Sequence, residues 1–271
     1  MDPSGTAWIS KKFLKELKRR LARIKQQIKL KFTMPNFVVN ASYDFPLDPS
    51  LRDEYETYIT GLVDEGLLEV KKGPEMALGG DRWSDSYVSS AYQQGMATAY
   101  ARAGYEALTG LDLEDWVATQ FFSPFHENRV ELLFTRAFEQ LRGISDTLAS
   151  QLRATLTQGF IEGKGPKEIA KMLSEKIDTL GYVRAELIAR TEVMRAHSEA
   201  SLDTYAFFQE QNVELLVEYL YTNDDRVCPK CVEFGTGPDG GRKRMKIEDA
   251  RGILPLHPNC RCVWLPVPKG L

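Results

Sequence analysis

Apolar residues near the start of the chain recur at the spacing of a helix seam. Leu14, Leu17, Leu21, Ile24 and Ile28 are separated by 3, 4, 3 and 4 positions, which predicts one amphipathic helix over residues 8–32. Pro35, Pro46 and Pro49 make residues 33–50 an irregular linker. Helical patterning resumes at Leu51 and runs to Val70, before a flexible break at Lys72-Gly-Pro74 and Gly79-Gly80. Between Trp83 and Leu108, Tyr87, Ala91, Tyr92, Met96, Ala99 and Tyr100 predict a close-packed helix whose aromatic stripe reads as core. Thr109-Gly110 ends it, and a short helix follows from Leu111 to Thr119. Two further runs, Glu127–Arg142 and Ser145–Ile161, lead to the turn Gly163-Lys-Gly-Pro166 and a helix from Lys167 to Ile177. His126 reads as a capping or surface residue. The helix–Gly turn–helix imitates a DNA-reading motif, but Lys167, Lys171 and Lys176 alone support ordinary helix pairing better.

The stretch Tyr182–Gln211 predicts a long helix with Val183, Leu187, Met194, Tyr205 and Phe208 on one face. Arg190, His197 and Ser201 fall on the same stripe at ~100° per residue. Polar groups on a buried stripe need partners, so Arg190 and His197 are expected to hydrogen-bond into the C-terminal loop as structural support. Val213–Thr222 has the β-rich character of a strand. The expected fold is mainly α: an elongated helical protein with a small α+β, zinc-stabilised C-terminal module. The expected boundaries are a basic arm and linker over 1–40, a helical domain over 41–180 and the module over 181–271.

Charge changes this picture at the N-terminus. Of 271 residues, 43% are hydrophobic and 27% charged, ordinary values for a soluble globular protein. Residues 1–33 carry ten Lys/Arg against two acids, a charge of +8 that leaves −11 on the remainder of a chain with net charge −3. Lys11, Lys12, Lys15, Lys18, Arg19, Arg20, Arg23, Lys25 and Lys29 are the candidate contacts. Such a face suits nucleic acid, an anionic surface or an acidic protein; otherwise it is a solvated helix face whose seam packs on its own body. No apolar run approaches the ~20 residues that span a bilayer, and no secretory signal is expected.

The chemistry lies in the last fifty residues. All four cysteines occur there, in Cys228-Pro-Lys-Cys231 and His257-Pro-Asn-Cys260-Arg-Cys262, with 25 residues between the two segments. Two ligands two residues apart can wrap one ion as a knuckle, and the Pro after the first ligand fixes φ. Thiolates and imidazole favour zinc, and a full Cys₃His shell describes a structural site. Cys228, Cys231, His257 and Cys260 are the expected ligands, with Cys262 as the alternative for the last place. Two disulfides would require an oxidising compartment, and four unrelated thiols would leave the paired Pro spacing unexplained.

Taken together, Ala189-Arg-Thr-Glu-Val-Met-Arg-Ala196, Asp224-Asp-Arg-Val-Cys-Pro-Lys-Cys231 and Leu256-His-Pro-Asn-Cys-Arg-Cys262 closely resemble the phage Mu F-like head morphogenesis proteins, over residues 145–271. The resemblance implies a non-enzymatic minor capsid protein of a tailed double-stranded DNA phage. It implies a place inside the head at the portal vertex after assembly in the host cytoplasm, among packaged DNA, with an influence on its ejection. The partners it implies are the portal protein and the packaged DNA, with major capsid or scaffold protein as further candidates. Members vary in which cysteines they keep, so Cys260 and Cys262 stay open.

Other classes carry weaker signals. His197-Ser-Glu199 before Cys228 and Cys231 imitates a zinc deaminase or hydrolase, in which Glu moves the proton. However, Val227 stands where that signature needs Pro, and His257 and Cys260 would have no task. A toxin or nuclease fusion is expected to show a further C-terminal domain. A DNA-binding zinc module would use Arg242, Lys243, Arg244 and Lys246, diluted by Glu248 and Asp249.

Overall fold

The computed structural model describes residues 2–33, 49–69, 82–104, 112–211, 213–222, 224 and 227–269. The expected linker at 33–50 and the break at 72–80 fall almost wholly outside the described residues, as does the helix end at Thr109-Gly110. The described elements are mostly helical: α1 (Ala7–Thr33), α2 (Pro49–Leu68), α3 (Asp85–Ala103), α4 (Leu113–Phe121), α5 (Pro124–Ile161), α6 (Pro166–Lys176) and α7 (Tyr182–Glu210). A π-helical turn, Ile177–Gly181, joins α6 to α7. Beyond α7 come β1 (Leu215–Leu220), α8 (Pro229–Gly235), β2 (Arg244–Met245), α9 (Ile247–Ala250) and β3 (Val263–Pro268). Among the described residues no helix is long and apolar enough to cross a membrane.

Two compact units interleave along the chain. One comprises residues 1–13, 73–137 and 187–271; the other comprises 14–72 and 138–186. In the second unit the predicted seam of α1 faces inward: Leu17, Leu21, Ile24 and Ile28 are buried and Leu14 is partly so, while Phe32 extends the buried face by one more turn. Phe32 lies 5.5 Å from the Tyr55 ring of α2, and a Cβ on Gly66 would meet Ile24 Cγ1 at 2.7 Å. The helix therefore contributes a full apolar face to a core.

The runs expected as two helices at 127–142 and 145–161 form the single helix α5. Gly143 keeps helical φ and has open space around it. Leu141, Ile144, Leu148 and Leu152 continue the buried stripe across it, and this packing outweighs the roughly 1 kcal/mol that a mid-helix glycine costs.

In the first unit, Asp2 caps the start of α1, its Oδ2 accepting the Ala7 N–H at 2.8 Å. Phe13 stacks on Tyr87 of α3 at 4.9 Å. Tyr100, Trp116 and Phe208 form one cluster, with Tyr100–Trp116 at 4.7 Å and Trp116–Phe208 at 5.8 Å. The buried face of α7 in this unit is built from Ala189, Val193, Ala196, Ala200, Tyr205 and Phe208. Val183 was expected on that face but is 59% exposed, and Arg190 is exposed as well. Met194, His197, Ser201, Tyr205 and Phe208 of the expected stripe are buried, and the small alanines extend that face where α3 comes close at Gly95.

The sheet is antiparallel in the order β2-β1-β3. Leu215, Val217 and Tyr219 of β1 are buried in alternation, as period-2 patterning requires. Its register pairs Leu215 with Pro268 and Leu220 with Val263. The end of β1 and the start of β3 therefore lie side by side, and the excursion between them begins and ends at the same end of this strand pair.

Candidate metal centre

That register brings the two cysteine segments together. After β1 the chain enters Cys228, which is the N-cap of α8 with φ −88° and ψ 149°. Pro229 supplies the fixed φ of the first helical position. The Cys231 N–H then donates to Cys228 Sγ at 3.4 Å and to Cys228 O at 3.0 Å. The Cys-Pro-x-Cys knuckle is thus the first turn of a short helix, its amide turned to the sulfur. The second knuckle is similar: Cys260 N–H donates to His257 O at 3.1 Å, and Asn259 takes the left-handed conformation, φ 64°, which Asn tolerates.

Three sulfurs and one imidazole meet here. Cys228 Sγ and Cys231 Sγ each lie 3.0 Å from His257 Nε2, and Cys231 Sγ lies 3.9 Å from Cys260 Sγ. His257 Nδ1 faces the Pro258 carbonyl at 2.7 Å. A carbonyl can only accept, so Nδ1 carries the proton and Nε2 presents its lone pair to the sulfurs, the tautomer a ligating histidine needs. Cys262, buried just before β3, joins Cys231 and Cys260 in a second overlapping triad. The five residues form a cluster that could hold a metal ion.

The donor set fits a tetrahedral thiophilic cation. Metal–sulfur and metal–nitrogen lengths of ~2.3 and ~2.05 Å imply roughly 3.8 Å between sulfurs and 3.6 Å between sulfur and nitrogen. The Cys231–Cys260 separation matches, and the two contacts to His257 are tighter. Burial pushes the Cys231 thiol up to about 12. A hydrogen bond from the Cys262 thiol pulls Cys260 down to about 5, and the same bond holds Cys262 up. Tyr219 Oη is buried with no well-formed hydrogen bond among the described residues, beside the Cys262 and Cys231 sulfurs.

Two contacts brace the knuckles. Arg261 forms a bidentate pair with Asp224, both bonds 2.7 Å, tying the second knuckle to the loop before the first. Arg190 Nη1 donates to Asn259 Oδ1 at 3.4 Å, which is the expected bond into the C-terminal loop, made from an exposed position. His197 makes no such bond. It is buried in unit 1 with neither ring nitrogen partnered among the described residues. Its backbone lies against Gly95 of α3, and burial drives its pKa down to about 3.

The deaminase arrangement is not formed, since Cys228 and Cys231 gather round His257. Glu199 instead accepts the Gly252 N–H at 3.0 Å and pairs with Arg129 at 3.4 Å. In the basic loop, Arg242 and Arg244 both pair with Glu218, at 3.3 and 3.1 Å.

Sequence reasoning missed a buried polar network around Asp203. Its carboxylate accepts from Arg129 at 3.2 Å, Arg251 at 2.6 Å and the Tyr92 hydroxyl at 2.8 Å. The Tyr92 hydroxyl in turn takes a 2.7 Å bond from His126 Nδ1. His126, expected at the surface, is only 2% exposed. The position before it in the helix start suggested a cap, but the ring turns inward to complete this network.

On α1, Lys11, Lys12, Lys15, Lys18, Arg19, Arg23 and Lys29 are exposed. Arg20 is buried, its Nη1 donating to Gly66 O and pairing with Glu69, both at 2.9 Å. Lys25 is half-buried and pairs with Asp178 at 2.5 Å. Their charges are engaged within the second unit.

Comparison with known proteins completes the site. Residues 150–265 match the family model described as Phage Mu protein F like protein, a span that holds the whole Cys/His cluster. No curated protein and no solved structure matches the chain.

Proposed function

We propose, from the match of residues 150–265 to the model described as Phage Mu protein F like protein, that this chain is a structural head protein of a tailed double-stranded DNA phage. In this reading it enters the assembling head and associates with the portal at the unique vertex. One observation supports the structural, non-catalytic role: two Cys/His triads that share Cys231, one with Cys228 and His257 and the other with Cys260 and Cys262, lie inside the family segment. We assign zinc to Cys228, Cys231, His257 and Cys260. Cys260 is favoured as fourth ligand because it closes the second knuckle and lies 3.9 Å from Cys231. Four protein ligands leave no open coordination position for a substrate. The exposed basic residues of α1 would face packaged DNA or the portal.

The metal assignment is tested by metal analysis of the purified chain. One zinc per chain is expected, lost in Cys228→Ser and His257→Ala and retained in Cys262→Ser. Apparent metal-binding free energy at structural zinc sites is on the order of 10 kcal/mol and is folding energy, so chelator should abolish the cooperative melting of the C-terminal module. Unchanged melting in chelator would overturn the site. Zinc retained in Cys260→Ser but lost in Cys262→Ser would reverse the fourth ligand. Co-purification with the portal protein of the same genome tests the partner, and failure to co-purify from infected cells would sink that reading.

A further inference from the structure

A cavity of about 200 Å³ opens between α5 and α7 in the first unit, lined by Arg129, Leu132, Leu133, Arg136, Arg195 and Glu199. Three guanidiniums therefore surround one small space. Arg129 is engaged with Asp203 and Glu199, and Arg136 makes a long contact of 3.5 Å with Glu192. Arg195 is different. Its Nε is buried without an acceptor, and no ion pair or hydrogen bond joins its guanidinium among the described residues. A buried donor left without an acceptor is costly, and burial and the neighbouring Arg136 oppose the charge on Arg195, while Glu192 and Glu199 favour it only in part. Three arginines and one carboxylate, Glu199, line the cavity, so its lining favours an anionic group.

The rim says what carries that anion. Phe125, Arg129, Leu132 and Arg136 follow one another on one face of α5. Phe125 is 52% and Leu132 64% exposed, so large apolar side chains stand in water beside the guanidiniums. A phosphate backbone would satisfy the arginines but cover none of that apolar surface, whereas an amphipathic protein segment would do both. We propose that this cavity is a docking socket for a carboxylate borne beside an apolar side chain, on an acidic amphipathic segment of a partner protein. Arg195 and Arg136 clamp the carboxylate, and Leu132 receives its apolar neighbour.

The test observes the arginine Nε–Hε signals of the full chain by NMR. Three probes are added: an N-acetylated helical peptide with Glu and Leu four residues apart, its Glu→Gln counterpart, and a short DNA duplex. The Glu peptide is expected to shift the Arg195 signal and to bind about tenfold more tightly than the Gln peptide, since the bond is charge-assisted. Leu132→Ser and Arg136→Ala, both changes at exposed side chains, are each expected to weaken binding several-fold. They keep the test open if Arg195→Gln fails to fold. No shift with the Glu peptide, or equal binding of the Gln peptide, would overturn the proposal. So would a duplex that shifts Arg195 independently of Leu132, which would mark a phosphate site.

Discussion

Gly95 sets the approach of α3 to α7. A Cβ there would lie 2.4 Å from His197 O and 2.8 Å from Ala200 Cβ. Neither neighbour is the far end of a flexible side chain, so the helices themselves would have to separate. Gly95→Ala is expected to cost about 3 kcal/mol, read as a lower urea midpoint; a midpoint unchanged from wild type would refute the close approach. His197, on the other side of this contact, makes a pH prediction. Its folded pKa is depressed to about 3, so below the unfolded value of about 6.5 the unfolded chain binds a proton that the folded chain refuses. Stability therefore falls as pH drops through that window, by at most about 1.4 kcal/mol per pH unit. His197→Gln is expected to show a shallower loss between pH 6.5 and 5 than wild type. Equal slopes would mean that the imidazole is not held neutral.

At the scale of the element, α5 shows how packing overrides local punctuation. Nothing lies within 4 Å of a Cβ built on Gly143, and the helix runs straight through it. Gly143→Ala is expected to stabilise by about 0.5–1 kcal/mol, through lost unfolded-state entropy and better helix propensity. A rise in Tm of the full chain would show it, and a fall would mean that the helix needs the glycine. α1 gives the converse lesson. Its seam was legible because 3, 4, 3, 4 spacing can only mean one helix face. Which of its basic residues remain available was not, because Arg20 and Lys25 find Glu69 and Asp178 far along the chain.

For the whole molecule, the burial of α1 changes how its charge must be tested. Removing residues 1–33 would strip Leu17, Leu21, Ile24, Ile28 and Phe32 from a core and report on folding instead of contact. Replacing exposed Lys11 and Lys15 by Gln leaves that face intact and is expected to change stability by less than about 0.5 kcal/mol per site. If the α1 face meets DNA, the variant should bind duplex more weakly, with a smaller salt dependence in proportion to the phosphates released. Binding and salt slope identical to wild type would point to a protein partner for this face. At this scale too, the family match and the Cys/His cluster coincide, because both knuckles, β1 and the bracing Arg190 fall within residues 150–265.

The chain by itself determined most of its helical segments, its one clear strand and which Cys and His side chains could hold a metal, because periodicity and ligand spacing are local properties. It also carried the family likeness, through motifs a few residues long. Only the tertiary structure decided what depends on distant partners. The pairing of Leu220 with Val263 brings the two knuckles to one place. Asp203 draws Arg129, Arg251, Tyr92 and, through it, His126 inward. The Arg195 Nε is buried at the cavity between α5 and α7. Hydrophobic spacing reports which face of an element is buried, but the partner of a buried charge is chosen by packing between segments a hundred residues apart.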